Sequence, residues 1–317
     1  MILLYILLAL LVLLLAAGYA GFRIACVRKR VPPVPPTPEY VRHTSYARWA
    51  EEVCAGADWF LRQDPQELHV MSYDGKRLAA RFLPCENAKG TVLLFHGYRS
   101  SGLVDFGLSV QFIHRQGYNI LLPDQRAHGA SEGRYITFGA RERYDVLSWV
   151  TYLSQMLGQQ HPMYLIGISM GASTVLMSSC FDFPANVRGI VADCGFTSPY
   201  AIMRDVLHER CPQLPAGLLL FFSGLYTALF AGFTLKGCST VDAVRASALP
   251  VLFLHGTADR FVPPRMSEEA CNACMGEKRL LLISGANHAV CYAVDQPRVQ
   301  SALEEFFENH LPKEDSV

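Results

Sequence analysis

Apolar residues fall into three regimes along the chain. From Met1 to about Ala20 nearly every position is Leu, Ile, Val or Ala and none is charged, which is about the length that crosses a hydrocarbon core. Prolines then dominate Val31-Pro32-Pro33-Val34-Pro35-Pro36-Thr37-Pro38, and they favour an extended polyproline conformation, a stiff spacer. An amphipathic stretch from Tyr46 to Leu61 predicts a short helix, and Leu68 to Tyr73 and Arg77 to Leu83 alternate about Asp74-Gly75 as a hairpin does. Beyond Thr91 the pattern becomes short continuous apolar runs, Thr91 to Phe95, Tyr118 to Leu122, Met163 to Ile166, Gly189 to Ala192, Val251 to Leu254 and Leu280 to Ile283. Such runs separated by helical segments predict an α/β fold, a parallel sheet covered by helices on both faces.

One interval, about Thr197 to Ala248, is too long for a simple crossover and carries the apolar runs Leu218 to Phe222 and Leu225 to Phe230. A helical cap over the C-terminal edge of the sheet accounts for both features, with an ordinary packing helix plus an insertion as the alternative. Ser223, Gly224 and Gly232 interrupt it against a second membrane span.

Acidic and basic residues balance to a formal charge of zero, which excludes a basic nucleic-acid footprint. Gly18-Tyr19-Ala20 would serve as a signal cleavage site, but the early cations Arg23, Arg28, Lys29 and Arg30 follow the apolar stretch, where a secretory signal carries them before it. An uncleaved anchor is therefore expected, with the remainder of the chain on the cytoplasmic side. The cysteines are scattered through apolar runs, as reduced thiols are. Cys271 and Cys274 have half-site spacing without a second pair, and no metal is expected there.

Gly167-Ile168-Ser169-Met170-Gly171 follows an apolar strand and precedes a helix-compatible stretch, as a nucleophile elbow requires. Its glycines let backbones pass close to a strained serine. A serine needs a histidine to take its proton and a carboxylate to orient that histidine. Asp259, in the turn after Val251 to Leu254, is the candidate acid, with Asp193 as runner-up read chiefly as structural. His288, after Leu280 to Ile283, is the candidate base. His96 and His128 precede the serine and His255 precedes the acid, so they are read as packing or loop-tying residues. The oxyanion that forms in acyl transfer needs two donors, and the amides of Met170 and Tyr98 are the candidates.

These motifs, together with His96-Gly97, the segment Leu122 to Gly133, His255 to Asp259 and Asn287-His288, resemble the α/β-hydrolase superfamily from about Leu68 to Leu311. Within it they resemble the membrane-anchored, serine-aminopeptidase-like hydrolases. The resemblance implies an eight-stranded sheet, a Ser169, Asp259, His288 triad, no cofactor, and structural roles for Asp124 and His128. Relatives commonly carry glycine where Asn287 stands. The layout expected is an anchor over residues 1–22, a basic, proline-rich linker over 23–45 and a hydrolase domain over 46–317 with the cap at about 197–248. The activity expected is hydrolysis of an ester or thioester with an apolar acyl chain, with membrane and a lipid-like acyl substrate as partners. An aminopeptidase or amidase of the same fold is the enzymatic rival, and a non-catalytic membrane-bound interaction module the other.

Overall fold

The computed structural model describes residues 1–29 and 32–312. Arg30 and Val31 of the basic, proline-rich segment, and residues 313–317 at the end of the expected domain, lie outside the described residues. The chain opens with α1 (Ile2–Cys26), a short α2 (Pro38–Val41) and α3 (Ala50–Arg62). A hairpin of β1 (Gln66–Met71) and β2 (Arg77–Leu83) follows, then β3 (Gly90–Phe95), α4 (Gly102–Asp105), α5 (Val110–Arg115), β4 (Tyr118–Pro123), α6 (Glu142–Leu157), β5 (Met163–Ile168), α7 (Met170–Ser178) and β6 (Val187–Asp193). The long excursion holds α8 (Pro199–Arg210), α9 (Ala216–Tyr226), a π-helical turn (Thr227–Ala231) and α10 (Thr240–Arg245). Last come β7 (Val251–Gly256), α11 (Arg265–Ala273), β8 (Lys278–Ile283), α12 (Cys291–Val294) and α13 (Gln296–Asn309).

The eight strands form one sheet in the order β1-β2-β4-β3-β5-β6-β7-β8, and only β2 runs against the others. The second strand of the hairpin lies at Arg77 to Leu83 as the alternation predicts, but the first sits two residues earlier than predicted, because Ser72 closes the turn: its amide donates to Lys76 O at 2.8 Å and its hydroxyl takes the Lys76 amide at 2.8 Å. Successive strand residues point to opposite faces. Val92, Leu94 and Tyr164 therefore meet Val53, Ile113 and Phe307 of α3, α5 and α13, while Leu93, Phe95 and Leu165 meet Trp149, Val175 and Ala270 of α6, α7 and α11. Cys271 and Cys274 are free thiols packed into the second of these layers.

A third apolar cluster covers the C-terminal edge of the sheet and joins Met170 and Phe196 to Ile202 of α8, Leu220 of α9 and Phe22 of α1. The excursion between β6 and β7 thus has two parts. α8, α9 and the π turn cover the sheet edge, whereas Val244 of α10 packs in the layer of α6 and α7, as an ordinary crossover helix does. α1 continues past residue 22 into the domain, with Gly18, Phe22 and Cys26 buried on one stripe. A side chain at Gly18 would fall 2.5 Å from Phe222 Cβ, so α1 and α9 meet at backbone distance, and Ser223 Oγ donates to Gly18 O at 3.1 Å. Pro32 and Val34 lie beside Leu103 and Leu122, so the proline-rich segment follows the domain surface rather than standing off as a spacer.

Two loops at the C-terminal edge are pinned by histidines. His96 Nε2 accepts the Gln125 amide at 3.1 Å, and His128 Nε2 accepts the Arg99 amide at 3.0 Å while its Nδ1 lies 3.0 Å from Arg126 O. An acceptor Nε2 and a donor Nδ1 require a neutral ring. Burial lowers the His128 pKa to about 3, with the His96 ring adding to the effect.

The elbow generates one prediction. A Cβ on Gly171 would lie 1.9 Å from Phe95 O, whereas one on Gly217, in the first turn of α9, meets nothing within 4 Å. Gly171→Ala should lower stability by about 1–3 kcal/mol or more, and Gly217→Ala should raise it by about 0.4–1 kcal/mol, read as opposite shifts in thermal unfolding of the full chain. His128 generates a second. Its folded pKa lies below the unfolded value, so the stability it confers is complete above pH ~6.5 and is lost as the pH falls towards 3. The melting-temperature advantage of wild type over His128→Asn should therefore shrink on going from pH 7.5 to pH 4, by an amount on the order of a few kcal/mol at its limit.

Candidate active site

Ser169 sits between the end of β5 and the first turn of α7 with φ 55° and ψ −115°, a left-handed conformation that a non-glycine residue adopts only under constraint. The constraint is on both sides. A Cβ on Gly167 would strike the backbone of Gly171 at 2.3 Å, and the Ser169 amide donates to Asp193 O at 2.8 Å. The hydroxyl is thereby lifted off the sheet edge towards the loop that follows β8.

That loop carries His288, whose Nε2 lies 2.9 Å from Ser169 Oγ and whose Nδ1 lies 2.7 Å from Asp259 Oδ2. Asp259 stands in the turn after β7, and its Oδ1 accepts the amides of Phe261 and Val262, both at 2.9 Å. Burial opposes ionisation of Asp259, but hydrogen bonds from His255 and His288, the nearby imidazole charge and the Val262 amide outweigh it and hold the carboxyl well below the usual carboxylate range. An ionised Asp259 fixes the proton of His288 on Nδ1, which leaves Nε2 to accept from the serine hydroxyl. His255 buttresses the same turn, with Nε2 donating to Val262 O at 2.8 Å and standing 3.3 Å from Asp259 Oδ2. Asn287, where glycine is common in relatives, is exposed and does not take a positive φ, so the loop makes no demand for glycine there.

The three residues taken from the sequence are thus side by side, and Asp193 is not bonded to His288. Burial raises the Asp193 carboxyl to about 6, and its backbone carbonyl supports Ser169 instead. Cys194 is a neighbour the sequence reading missed. Its Sγ lies within 4.8 Å of ligand atoms of Asp259 and His288, and burial pushes the thiol well above its ordinary range.

The candidate oxyanion loop is held on three sides. Gly97 N–H donates to Asp105 Oδ2 at 2.6 Å and Arg99 N–H to His128, whereas the Tyr98 amide between them has no acceptor among the described residues. The Met170 amide, at the start of α7, has none there either. Asp105, whose carboxyl burial raises, also takes the Ser100 hydroxyl at 2.6 Å. Its only signal in the sequence is an acid inside the apolar stretch Leu103 to Phe106. The third support was invisible: Tyr98 OH donates to Ala25 O at 2.7 Å, and Arg99 reaches Ile24 O and Val27 O. These are end carbonyls of α1, which lack partners within the helix and favour a cation.

Ser169 opens into a cavity of about 330 Å³ whose walls include Phe138, Phe196, Ile202, Leu220 and Gly21. Two roomier clefts, of about 490 and 600 Å³, are lined by neither Ser169 nor His288. The arrangement sets a serine hydroxyl within hydrogen-bond reach of an imidazole, near two amides without acceptors among the described residues, and opens it to an apolar chamber.

Comparison with known proteins agrees with the topology. Residues 90–216 match the family described as alpha/beta hydrolase fold. The chain is 26% identical over 225 residues to the uncharacterised protein YqkD of Bacillus subtilis, covering 69% of this chain and 71% of that protein. It is 27% identical over 169 residues to thiohydrolase aneE of Aspergillus aculeatus, covering 52% of this chain and 51% of that protein. Among solved structures, the esterase Pf2001 of Pyrococcus furiosus superposes with a TM-score of 0.63 at 21% identity, over 80% of this chain and 96% of the esterase. Sheet order, family match and superposition together show that this chain has the α/β hydrolase fold.

Proposed function

We propose that this protein is a membrane-tethered serine hydrolase of esters or thioesters with an apolar acyl group. The observation that carries the reading is the Ser169, His288, Asp259 relay, with contacts of 2.9 and 2.7 Å, facing an apolar cavity. Ser169 Oγ attacks the acyl carbonyl as its proton passes to His288 Nε2, and Asp259 stabilises the imidazolium that results. The carbonyl electron pair moves onto oxygen, where the Met170 and Tyr98 amides receive it. Collapse of this intermediate expels the alcohol or thiol, which takes the proton from His288. Water, deprotonated by the same nitrogen, then releases the acid and restores the serine.

The lining argues for an acyl ester over a peptide with a free amino terminus. The charged side chains on the cavity wall are Arg99 and Arg210, and no carboxylate stands there to receive an ammonium group. The name of the Aspergillus relative, a thiohydrolase, keeps a thioester leaving group in the proposal. A non-catalytic role leaves the relay geometry and the strained serine without a purpose.

Membrane attachment rests on α1, which has 25 residues, no charge before Arg23, and an exposed apolar surface along its N-terminal half. Cleavage after Ala20 would remove the Gly18 contact with α9 and leave Ser223 without its acceptor, which favours an uncleaved anchor. The cations Arg23, Arg28 and Lys29 after the apolar stretch favour a domain on the cytoplasmic side.

A fluorophosphonate probe should label Ser169 of the full chain in detergent, and Ser169→Ala should lose both label and turnover. Wild type that takes no label, or a variant that still does, would sink the mechanism. Asp259→Asn should lower kcat about 10⁴-fold with KM little changed, because the amide no longer fixes the histidine tautomer.

A further inference from the structure

α1 presents two adjacent stripes to the domain. Gly18, Phe22 and Cys26 are buried against α9 and the sheet edge, while Ala17, Gly21 and Ala25, one position earlier in each turn, line the cavity that holds Ser169. The opposite wall comes from Ile202, Met203 and Leu207 of α8. The apolar helix is therefore part of the chamber as well as a neighbour of it.

Outside the chamber, Leu218, Phe221, Leu225 and Leu229 repeat at helical spacing on one face of α9 and its π turn, and all are exposed, Phe221 at 62% and Leu229 at 73%. Phe222 meets Gly18, and Tyr226 packs on Tyr19 and Phe22, which fixes the level of this face along α1. It is the level where the uncharged stretch ends and Tyr19 and Arg23 begin, the residue types that sit at a membrane interface. The exposed face of α9 is thus continuous with the surface of α1 that a bilayer covers.

Building on the hydrolase reading, we infer that α1 is one wall of the acyl site, and that the site takes the acyl chain of an ester lying in the same bilayer. The chain runs from Ser169 along Ala25, Gly21 and Ala17, between α1 and α8, with α9 resting on the lipid surface. The direction follows from the ties to the oxyanion loop. Tyr98, beside Ser169, is bonded to Ala25, so Ala25 marks the reactive end and Ala17, about 12 Å along the helix, the bilayer end. On this stripe Gly21 admits the close approach of α9, where a Cβ would lie 2.8 Å from Ser223 Oγ, and the small Ala17 and Ala25 leave the width that an alkyl chain fills.

The test uses the full chain reconstituted in phospholipid vesicles, with p-nitrophenyl esters of increasing acyl length. In wild type, kcat/KM should rise roughly fourfold per methylene up to a cut-off length. Ala25→Phe should shorten the cut-off most, Ala17→Phe should shorten it less, and Leu10→Phe, on the part of α1 remote from the cavity, should leave it in place. A wild-type cut-off in a cavity-side variant whose Ser169 still takes the fluorophosphonate label overturns the wall and spares the hydrolase reading. Absence of label in wild type overturns both. Where one variant does not fold, the other decides, and wild type alone carries a second measurement. A long-chain ester in the protein's own vesicles should be hydrolysed faster than the same ester in separate vesicles, on the order of tenfold or more. Equal rates overturn delivery from the bilayer.

Discussion

A close backbone approach, between Gly171 at the start of α7 and the carbonyl of Phe95 at the end of β3, conditions everything around the serine. α7 can enter that near only because no Cβ intervenes, and its entry forces the turn that holds Ser169 at φ 55°. The same approach brings the loop after β3 beside the serine, where a Cβ on Gly97 would lie 3.4 Å from Ser169 Cβ. The strained serine and the candidate oxyanion donors are in this sense consequences of one steric allowance. The histidine and the acid are added from the other side by the turns after β8 and β7.

Much of this was legible in the sequence because it is local. Alternation and continuous apolar runs report how each strand is covered, and Gly167 and Gly171 announce a tight strand-to-helix turn through their spacing. Asp259 and His288 could be picked out because strand ends and chain order restrict where partners of Ser169 can stand. The same logic set aside His96, His128 and His255, which hydrogen-bond to loops and turns. The first strand of the hairpin lies two residues earlier than the alternation suggests, since alternation cannot see that Ser72 spends its polar groups on the turn.

What stayed hidden depends on pairs of residues far apart in the chain. Nothing local links Tyr98 and Arg99 to the last carbonyls of α1, or Gly18 to Phe222, or Asp105 to the amide of Gly97. A greasy amino-terminal segment reads as an anchor by composition alone, and composition is silent about its last two turns being built into a chamber. The excursion between β6 and β7 shows the same limit. Its length signals a cover over the sheet edge, but only packing separates α8 and α9, which form that cover, from α10, which does not.

The seat of α1 bears on how the molecule comes into being. The helix is made first, yet the residues that receive it, from Tyr98 and Phe138 to Phe222 and Tyr226, are made much later. During synthesis the last turns of α1 can dock against α9 only once α9 exists. Until then the loop carrying Tyr98 lacks one of its supports and the chamber lacks a side. The finished site is thus a late product of biogenesis, and a domain made without its first helix would emerge with the sticky flank of α9 bare, prone to self-association rather than to clean solubility.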